Sequence, residues 1–546
     1  MKKLLSLILA VSLLLTGSAL ADELRLKYLD PSLYPVAEGA ELDIWCGQDG
    51  NVANYEVNPQ TAALEELTGV KINWTTAPGT QEDMNVMFNL HIASGNYPDM
   101  YLNTLSTADI IEYANDVFIP LNDYIENTRW IKEYLEAMPE IREAITAPDG
   151  NIYSLWHSLP EAGDKDSNAN PYKLWIYLPW LEASGMDMPE TVDEFRELLR
   201  YFRDHDMNGN GDPNDEIPMM GSFAFDHDGS DPTYAIMQAF QLTPANFLWV
   251  DEEHNVSCVA ITDDFREGLS YLNSMYEEGL IAEDIYALTL NEYRDVVNVT
   301  KPEDQVVGVA AAPYWMRFVT VSIFGERAYD EFTYMPVLKR DENTPAQTYT
   351  RKSGISLNGV VTTACEDPQL AIDWLDACLD PEINRVTNLG NEGDYWTRVS
   401  EEGELPIVSM AVPGTDLKDG GSVNEHCYGN WVFPSIPSSY YDFAYEEGSA
   451  AQKSDQVQRA ANREYAAAGV GDYMPASVWC TDSDLLTEMA DLQTNIENAI
   501  STAYAEFILG RRDVDDDAEW EEYKQSLEDL GLSRYLEVVY EVNCGS

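Results

Sequence analysis

Residues 41 to 102 switch repeatedly between two hydrophobic periods, and this switching limits the fold more than any other feature of the 546-residue chain. The stretch "ELDIWC" alternates with period two, as a strand does. Asn58-Pro59 then supplies an N-cap and a proline at the first helical position, and Gly69 stops the helix that they start. "VKINW" alternates again, with Val70, Ile72 and Trp74 on one face. A helix around "MNVMFNLHIASG" ends at Gly95 and runs into the short apolar stretch "DMYL". Strand, helix, strand, helix, strand predicts an α/β fold with a mainly parallel sheet, whose ligand loops lie at the carboxyl ends of the strands. Gln48 and Asp49 fall in the first of these loops, and Asp99 opens the third strand.

A polar break, "EAGDKDSNANP", precedes a second series. "LWIYL" reads as a strand, and Thr191 with Glu194 forms a capping box that opens the helix "VDEFRELLRYFRDHD". "IPMMGSFAF" follows as another strand. Between helix and strand every second residue from Asp206 carries a side-chain oxygen (Asp206, Asn208, Asn210, Asp212), and Gly211 stands where a calcium loop makes its sharp turn. The twelfth position is Ile217 rather than glutamate, and a strand rather than a helix comes next. A calmodulin-type switch is therefore excluded, which leaves a static cation clip or a metal-free turn built on Asn and Asp side chains. Two other acidic runs, "DKDSNAN" and "DVDDDAE", lack the glycine and read as a linker and a helix cap.

The start of the chain addresses its destination. Lys2-Lys3, an apolar run from Leu4 to Leu15 and the small-residue end Ala19-Leu20-Ala21 make residues 1–21 a signal peptide. Leu15-Thr16-Gly17-Ser18 matches a bacterial lipobox except that serine replaces the lipid-bearing cysteine, so an exported chain without that lipid is expected. Against 32 basic residues stand 96 acidic ones, a formal charge of −64. Such a surface repels phosphate backbones and anionic lipid, so nucleic-acid and membrane-surface roles are disfavoured. Seven cysteines are spread singly without a Cys-x-x-Cys pair, and most read as buried small apolar residues.

Taken in order, "TAALEELTGVKINW", "IASGNYPDMYL", "FIPLNDYIE", "APDGNIYSLW", the segment from "WLEASGMDMPET" through "DMNGNGDPNDEIP", "GVAAAPYWM", "NLGNEGDYW" and the tail from "FILGRRDVDDD" run through nearly the whole chain. In this order they resemble the extracellular solute-binding proteins of ABC sugar importers, particularly the long oligosaccharide- and alginate-binding branch. The resemblance implies a type II periplasmic-binding-protein fold of two α/β lobes with the ligand in a cleft between them. Lobe one would take 22–158 plus 345–400, and lobe two 159–344 plus 401–546. It implies an oligosaccharide ligand, delivery to ABC permease subunits, an extracellular and cell-surface-associated monomer, and no catalysis. It also implies a structural calcium ion on Asp206, Asn208, Asn210, Asp212, Asp215 and Glu216, with Asn214 competing for the closing position.

Sugars need flat apolar faces against their C–H groups and planar polar side chains against their hydroxyls. The candidates are Gln48 and Asp49 in the first loop, Trp156 and His157 in "SLWHS", and Tyr314 and Trp315 in "AAAPYWMR". Glu392, Tyr395 and Trp396 in "GNEGDYW" and Trp431 in "HCYGNWVFP" complete the set. Trp315 is either the stacking platform or core packing. Trp74, Trp374 and Trp520 lie in periodic patterns and are expected in the core. The rival reading is a secreted glycoside hydrolase or polysaccharide lyase, since paired carboxylates leave no short motif. Nucleophile elbows, zinc helices and phosphate loops are missing from the sequence.

Overall fold

The computed structural model describes residues 29–48, 52, 54–77, 81–157, 170–223, 229–324, 327–350, 355, 357–389, 396–398, 408–410, 432–436, 443–444, 450–474, 479–480 and 482–543. The signal-peptide segment 1–21 lies outside them. Its strands, in chain order, are β1 (Ala40–Gly47), β2 (Val70–Ala77), β3 (Met100–Leu102), β4 (Ser154–Trp156), β5 (Leu174–Tyr177) and β6 (Ile217–Met220). β7 (Leu248–Val250), β8 (Val256–Cys258), β9 (Val307–Ala311), β10 (Phe332–Tyr334), β11 (Thr348–Tyr349) and β12 (Leu357–Val361) follow. Contacts divide the chain into two compact units. The first draws on Met1–Leu159, Gly354–Tyr445 and Ala476–Thr481, the second on Pro160–Ser353, Glu446–Pro475 and Asp482–Ser546. Sequence reading placed the return to the first lobe at 345–400.

The first unit holds a five-stranded sheet in the order β2-β1-β3-β12-β4. β1 pairs in parallel with β2 from Ala40↔Val70 to Gly47↔Ala77, and with β3 from Ile44↔Met100 to Cys46↔Leu102. β12 runs antiparallel to both β3 and β4. The connecting helix Pro59–Thr68 starts and stops as its sequence dictates. Asn58 accepts the Gln60 N–H at 2.9 Å, and Gly69, at φ 74°, donates its own N–H to Glu65. Trp45, Phe88, Tyr101 and Phe118 pack edge to face or stacked beside this sheet.

The second unit holds the sheet β10-β5-β9-β6, in which β6 and β9 are parallel and β5 is antiparallel to β9 and β10. Helix Val192–Asp204 opens on the Thr191/Glu194 capping box and buries Val192, Phe195, Leu198, Leu199 and Phe202. Each such side chain contributes roughly 1.5–3 kcal/mol on leaving water. The strand expected over "IPMMGSFAF" ends at Met220. The Gly221 backbone lies so close to the Ser230 carbonyl and the Pro232 ring that a Cβ there would collide with both. Trp74, Trp374 and Trp520 are buried, as are Cys46, Cys258, Cys365 and Cys378.

Asp376, Asp380 and Asp231 are among the buried carboxyl groups of these units. Asp376 accepts the main-chain N–H groups of Ile131 at 2.7 Å and Arg129 at 3.1 Å. Asp380 accepts the Tyr34 hydroxyl at 3.0 Å and the Trp130 indole N–H at 3.1 Å. Asp231, in the second unit, accepts the Thr233 N–H at 2.8 Å. Burial outweighs these hydrogen bonds and pushes each group from 3.8 up to about 6. Because the folded state then holds the proton more tightly than the unfolded chain, the stability gained is complete below 3.8 and lost as pH rises through 6. Relative to wild type, Asp376→Asn should therefore lose part of this fall, so that the difference in unfolding free energy in urea between the two proteins changes between about pH 4 and about pH 6.5. A difference independent of pH across that interval would contradict the raised pKa of Asp376.

Candidate ligand-binding site

Strand direction decides which side chains share an edge. In the first unit β1, β2, β3 and β4 all run one way, so their carboxyl ends lie along the same edge of the sheet. Gln48 extends β1 and donates its main-chain N–H to Ala77 at 3.2 Å. Asn103, just after β3, takes φ 49° and donates its N–H to the Asn358 side chain at 2.6 Å. Asn358 spends its amide N–H on the Val432 carbonyl at 2.6 Å, so one residue of β12 ties two segments to this edge. Thr104 is buried, and its hydroxyl has no hydrogen-bond partner among the described residues. His157 follows β4, half-buried, with Nδ1 unpartnered among the described residues, and burial lowers its pKa so that the neutral ring is favoured.

Trp156 sits one residue before His157 but points into the core. It is fully buried, donates its indole N–H to Ser435 at 2.9 Å and meets Tyr134 edge to face. It presents no face to a sugar.

In the second unit the same reasoning applies to β6 and β9, whose carboxyl ends lead to Gly221 and to the turn after Ala311. Trp315–Arg317 form a short 3-10 turn. Tyr314 and Met316 are 40% and 55% exposed, whereas Trp315 between them is 4% exposed and packs in the core. Of the two readings open for Trp315, packing is the one its position displays, and the exposed ring is Tyr314. Lys173, buried at the start of β5, donates to the carbonyls of Asn170 and Pro313 and so fastens this turn to the neighbouring strand.

Structure thus brings Gln48 and His157 to one edge and places Tyr314 on the corresponding edge of the other unit. Asn103, Thr104, Asn358 and Lys173 were missed by sequence reading, because only strand pairing across distant segments reveals them. Asp49, Glu392, Tyr395 and Trp431 lie outside the described residues. Trp396 begins the short strand Trp396–Arg398, but its side chain also lies outside the description.

The loop from Asp206 to Glu216 is folded around its own oxygens. Asp206 accepts the Gly211 N–H at 3.0 Å, Asn208 that of Asn210 at 2.9 Å, and Asn210 that of Asp212 at 2.7 Å. Asn210 donates its side-chain amide to Asp215 at 2.6 Å, and Glu216 accepts the Met207 N–H at 2.7 Å. Gly209 and Gly211 take φ 73° and 92°. Among the described residues one carboxylate oxygen each of Asp215 and Glu216 is buried without a hydrogen bond, and burial, reinforced by Asp215, raises the Glu216 pKa. Asn214, the competitor for that position, is exposed and bonded to Asp212. Two orphaned carboxylate oxygens in an all-oxygen loop fit a hard cation such as calcium. Among the described residues no three carboxylate, imidazole or thiol side chains converge as metal ligands, so amide and main-chain oxygens would have to share the coordination.

Comparison with known proteins adds the following. No family model matches the chain. It is 28% identical over 490 residues to the fructooligosaccharide ABC transporter substrate-binding protein FusA of Streptococcus pneumoniae serotype 4, covering 87% of this chain and 84% of the relative. The structure of FusA in complex with kestose superposes with a TM-score of 0.66 at 25% identity, covering 92% of this chain and 98% of that one. A FusA EF-hand mutant in complex with fructo-nystose gives 0.65 at 24% identity, with the same coverage. These relatives are substrate-binding proteins, and the two α/β units with their mixed sheets match that architecture. In sequence and architecture the chain is thus similar to solute-binding proteins of the ABC-importer type.

Proposed function

We propose that this protein captures an oligosaccharide and delivers it to the permease subunits of an ABC importer, after export directed by residues 1–21. The observation that carries the reading is the similarity to fructooligosaccharide-binding FusA along 87% of the chain. Fructooligosaccharides are accordingly the first ligand class to test. The side chains at the strand ends suit the task. Tyr314 offers an exposed ring to sugar C–H groups, while Gln48, Asn103 and the neutral imidazole of His157 offer donors and acceptors to hydroxyls. Asp49, Glu392, Tyr395, Trp396 and Trp431 join them in this reading.

A calcium ion bound by Asp206, Asn208, Asn210, the Asp212 carbonyl, Asp215 and Glu216 forms the second part of the proposal. It would neutralise the orphaned oxygens of Asp215 and Glu216 and pin helix Val192–Asp204 to β6, a structural role separate from the sugar.

Tyr314→Ala should weaken the binding of whichever oligosaccharide raises the melting temperature of the wild type by about tenfold, the scale of one lost aromatic contact. Its own melting temperature should stay unchanged, because the ring is exposed. Calorimetry showing unaltered affinity would remove Tyr314 from the site. For the loop, chelation should lower the melting temperature and added calcium should restore it. Asp215→Ala should abolish that response while sugar affinity is retained. A melting temperature indifferent to chelator in the wild type would reject the ion.

A further inference from the structure

Between helix Ser483–Ile508 of the second unit and the segment 281–287 lies an open cavity of about 550 Å³, a volume usual for small-molecule sites. Four carboxylates stand in its wall, Glu497 and Glu506 on the helix and Glu283 and Asp284 on the segment, against the guanidinium of Arg511. Among the described residues none of the four is paired with a cation. Arg511 donates its main-chain N–H to the Glu506 carbonyl at 2.8 Å, and no ion pair joins its side chain to the described carboxylates. Glu497 is half-buried and accepts one hydrogen bond, from the Gln493 amide at 2.9 Å. Burial raises its pKa above the ordinary carboxylate value, as expected of a charge left without a compensating cation.

Aromatic rings separate this cavity from a merely solvated acidic face. Phe223 and Tyr286 meet edge to face at 5.2 Å between ring centres, and Tyr276 lines the cavity with them. Tyr286 is half-buried while its hydroxyl is fully buried, so the side chain gives the cavity carbon surface rather than a hydroxyl. Aromatic carbon beside carboxylates suits an organic cation. Along the helix, Glu497, Ser501 and Ala505 follow at intervals of four residues and form one stripe, whose small middle members leave the groove clear. Glu497 and Glu506 are separated by about 13 Å along the helix axis at 1.5 Å per residue. Carboxylates toward both ends with carbon surface between them match a methylene chain that carries ammonium groups near both ends. We propose that this cavity binds a polyamine-like cation, a linear aliphatic chain with two or more ammonium groups. The site uses none of the residues named for the oligosaccharide and does not depend on that reading.

The test uses the full mature protein at fixed ionic strength, with spermidine as the probe, butylamine as a single-charge control and magnesium as a control for charge without a carbon chain. A formal charge of −64 attracts any polycation to the surface, so a local variant must be set against a remote one. Calorimetry should show one spermidine per chain, with butylamine and magnesium weaker by about tenfold or more. Glu497→Gln, which keeps the shape of the side chain, should weaken spermidine by about tenfold. Tyr286→Leu should weaken it by about threefold, the scale of one cation–π contact. Glu252→Gln, which removes an exposed carboxylate in the turn between β7 and β8, should leave spermidine affinity unchanged. If spermidine binds without a defined stoichiometry or not at all, or if Glu252→Gln weakens it as much as Glu497→Gln does, surface charge alone acts on the amine and the site is overturned. Unaltered spermidine affinity in Glu497→Gln overturns it equally.

Discussion

Parallel pairing of β1 with β2 and β3 is the constraint on which the first unit depends. In-register parallel strands bring their carboxyl ends level, so Gly47, Ala77 and Leu102 finish together and the residues after them are held side by side. A Cβ on Gly47 would come within 4 Å of both Asn103 and Thr104, which shows how closely the loops approach at this edge. Antiparallel strands alone would put alternate chain ends on opposite edges and disperse these groups. The antiparallel β12 contributes something else, the Asn358 side chain that joins the Asn103 segment to Val432.

The second unit solves the same problem with a different residue. There a buried lysine, Lys173, fastens the turn bearing Tyr314 to the start of β5 by hydrogen bonds to main-chain carbonyls. Burying a cation is costly unless donors and acceptors are matched, and its ammonium group also lies 5.5 Å from the centre of the Tyr465 ring. A formal charge of −64 makes the protein as a whole a poor receptor for anions, which agrees with neutral polyhydroxylated ligands.

Elements with one wet face were legible in the sequence. β1 alternates because Glu41 and Asp43 are exposed while Leu42 and Ile44 are buried. Helix Val192–Asp204 declares itself by its capping box and apolar stripe. β4 is buried on both faces, so nothing in "SLW" shows that Trp156 turns inward and leaves His157 to the edge. Tyr314-Trp315 is ambiguous for a related reason. Neighbours in a tight turn with about three residues per revolution point in widely different directions, and sequence cannot say which ring faces the core. Asn358 and Lys173 were invisible because their partners lie on other segments or are main-chain carbonyls, which carry no sequence signal.

The central claim is capture without cleavage, and native mass spectrometry addresses it most directly. The mature protein would be incubated at length with a mixed pool of oligosaccharides, desalted and analysed intact, and the retained sugar then released and weighed. The account predicts one uncleaved oligosaccharide per chain, with the pool unchanged in composition after prolonged incubation. A chain that retains no sugar, or a pool that accumulates shorter fragments, would contradict it.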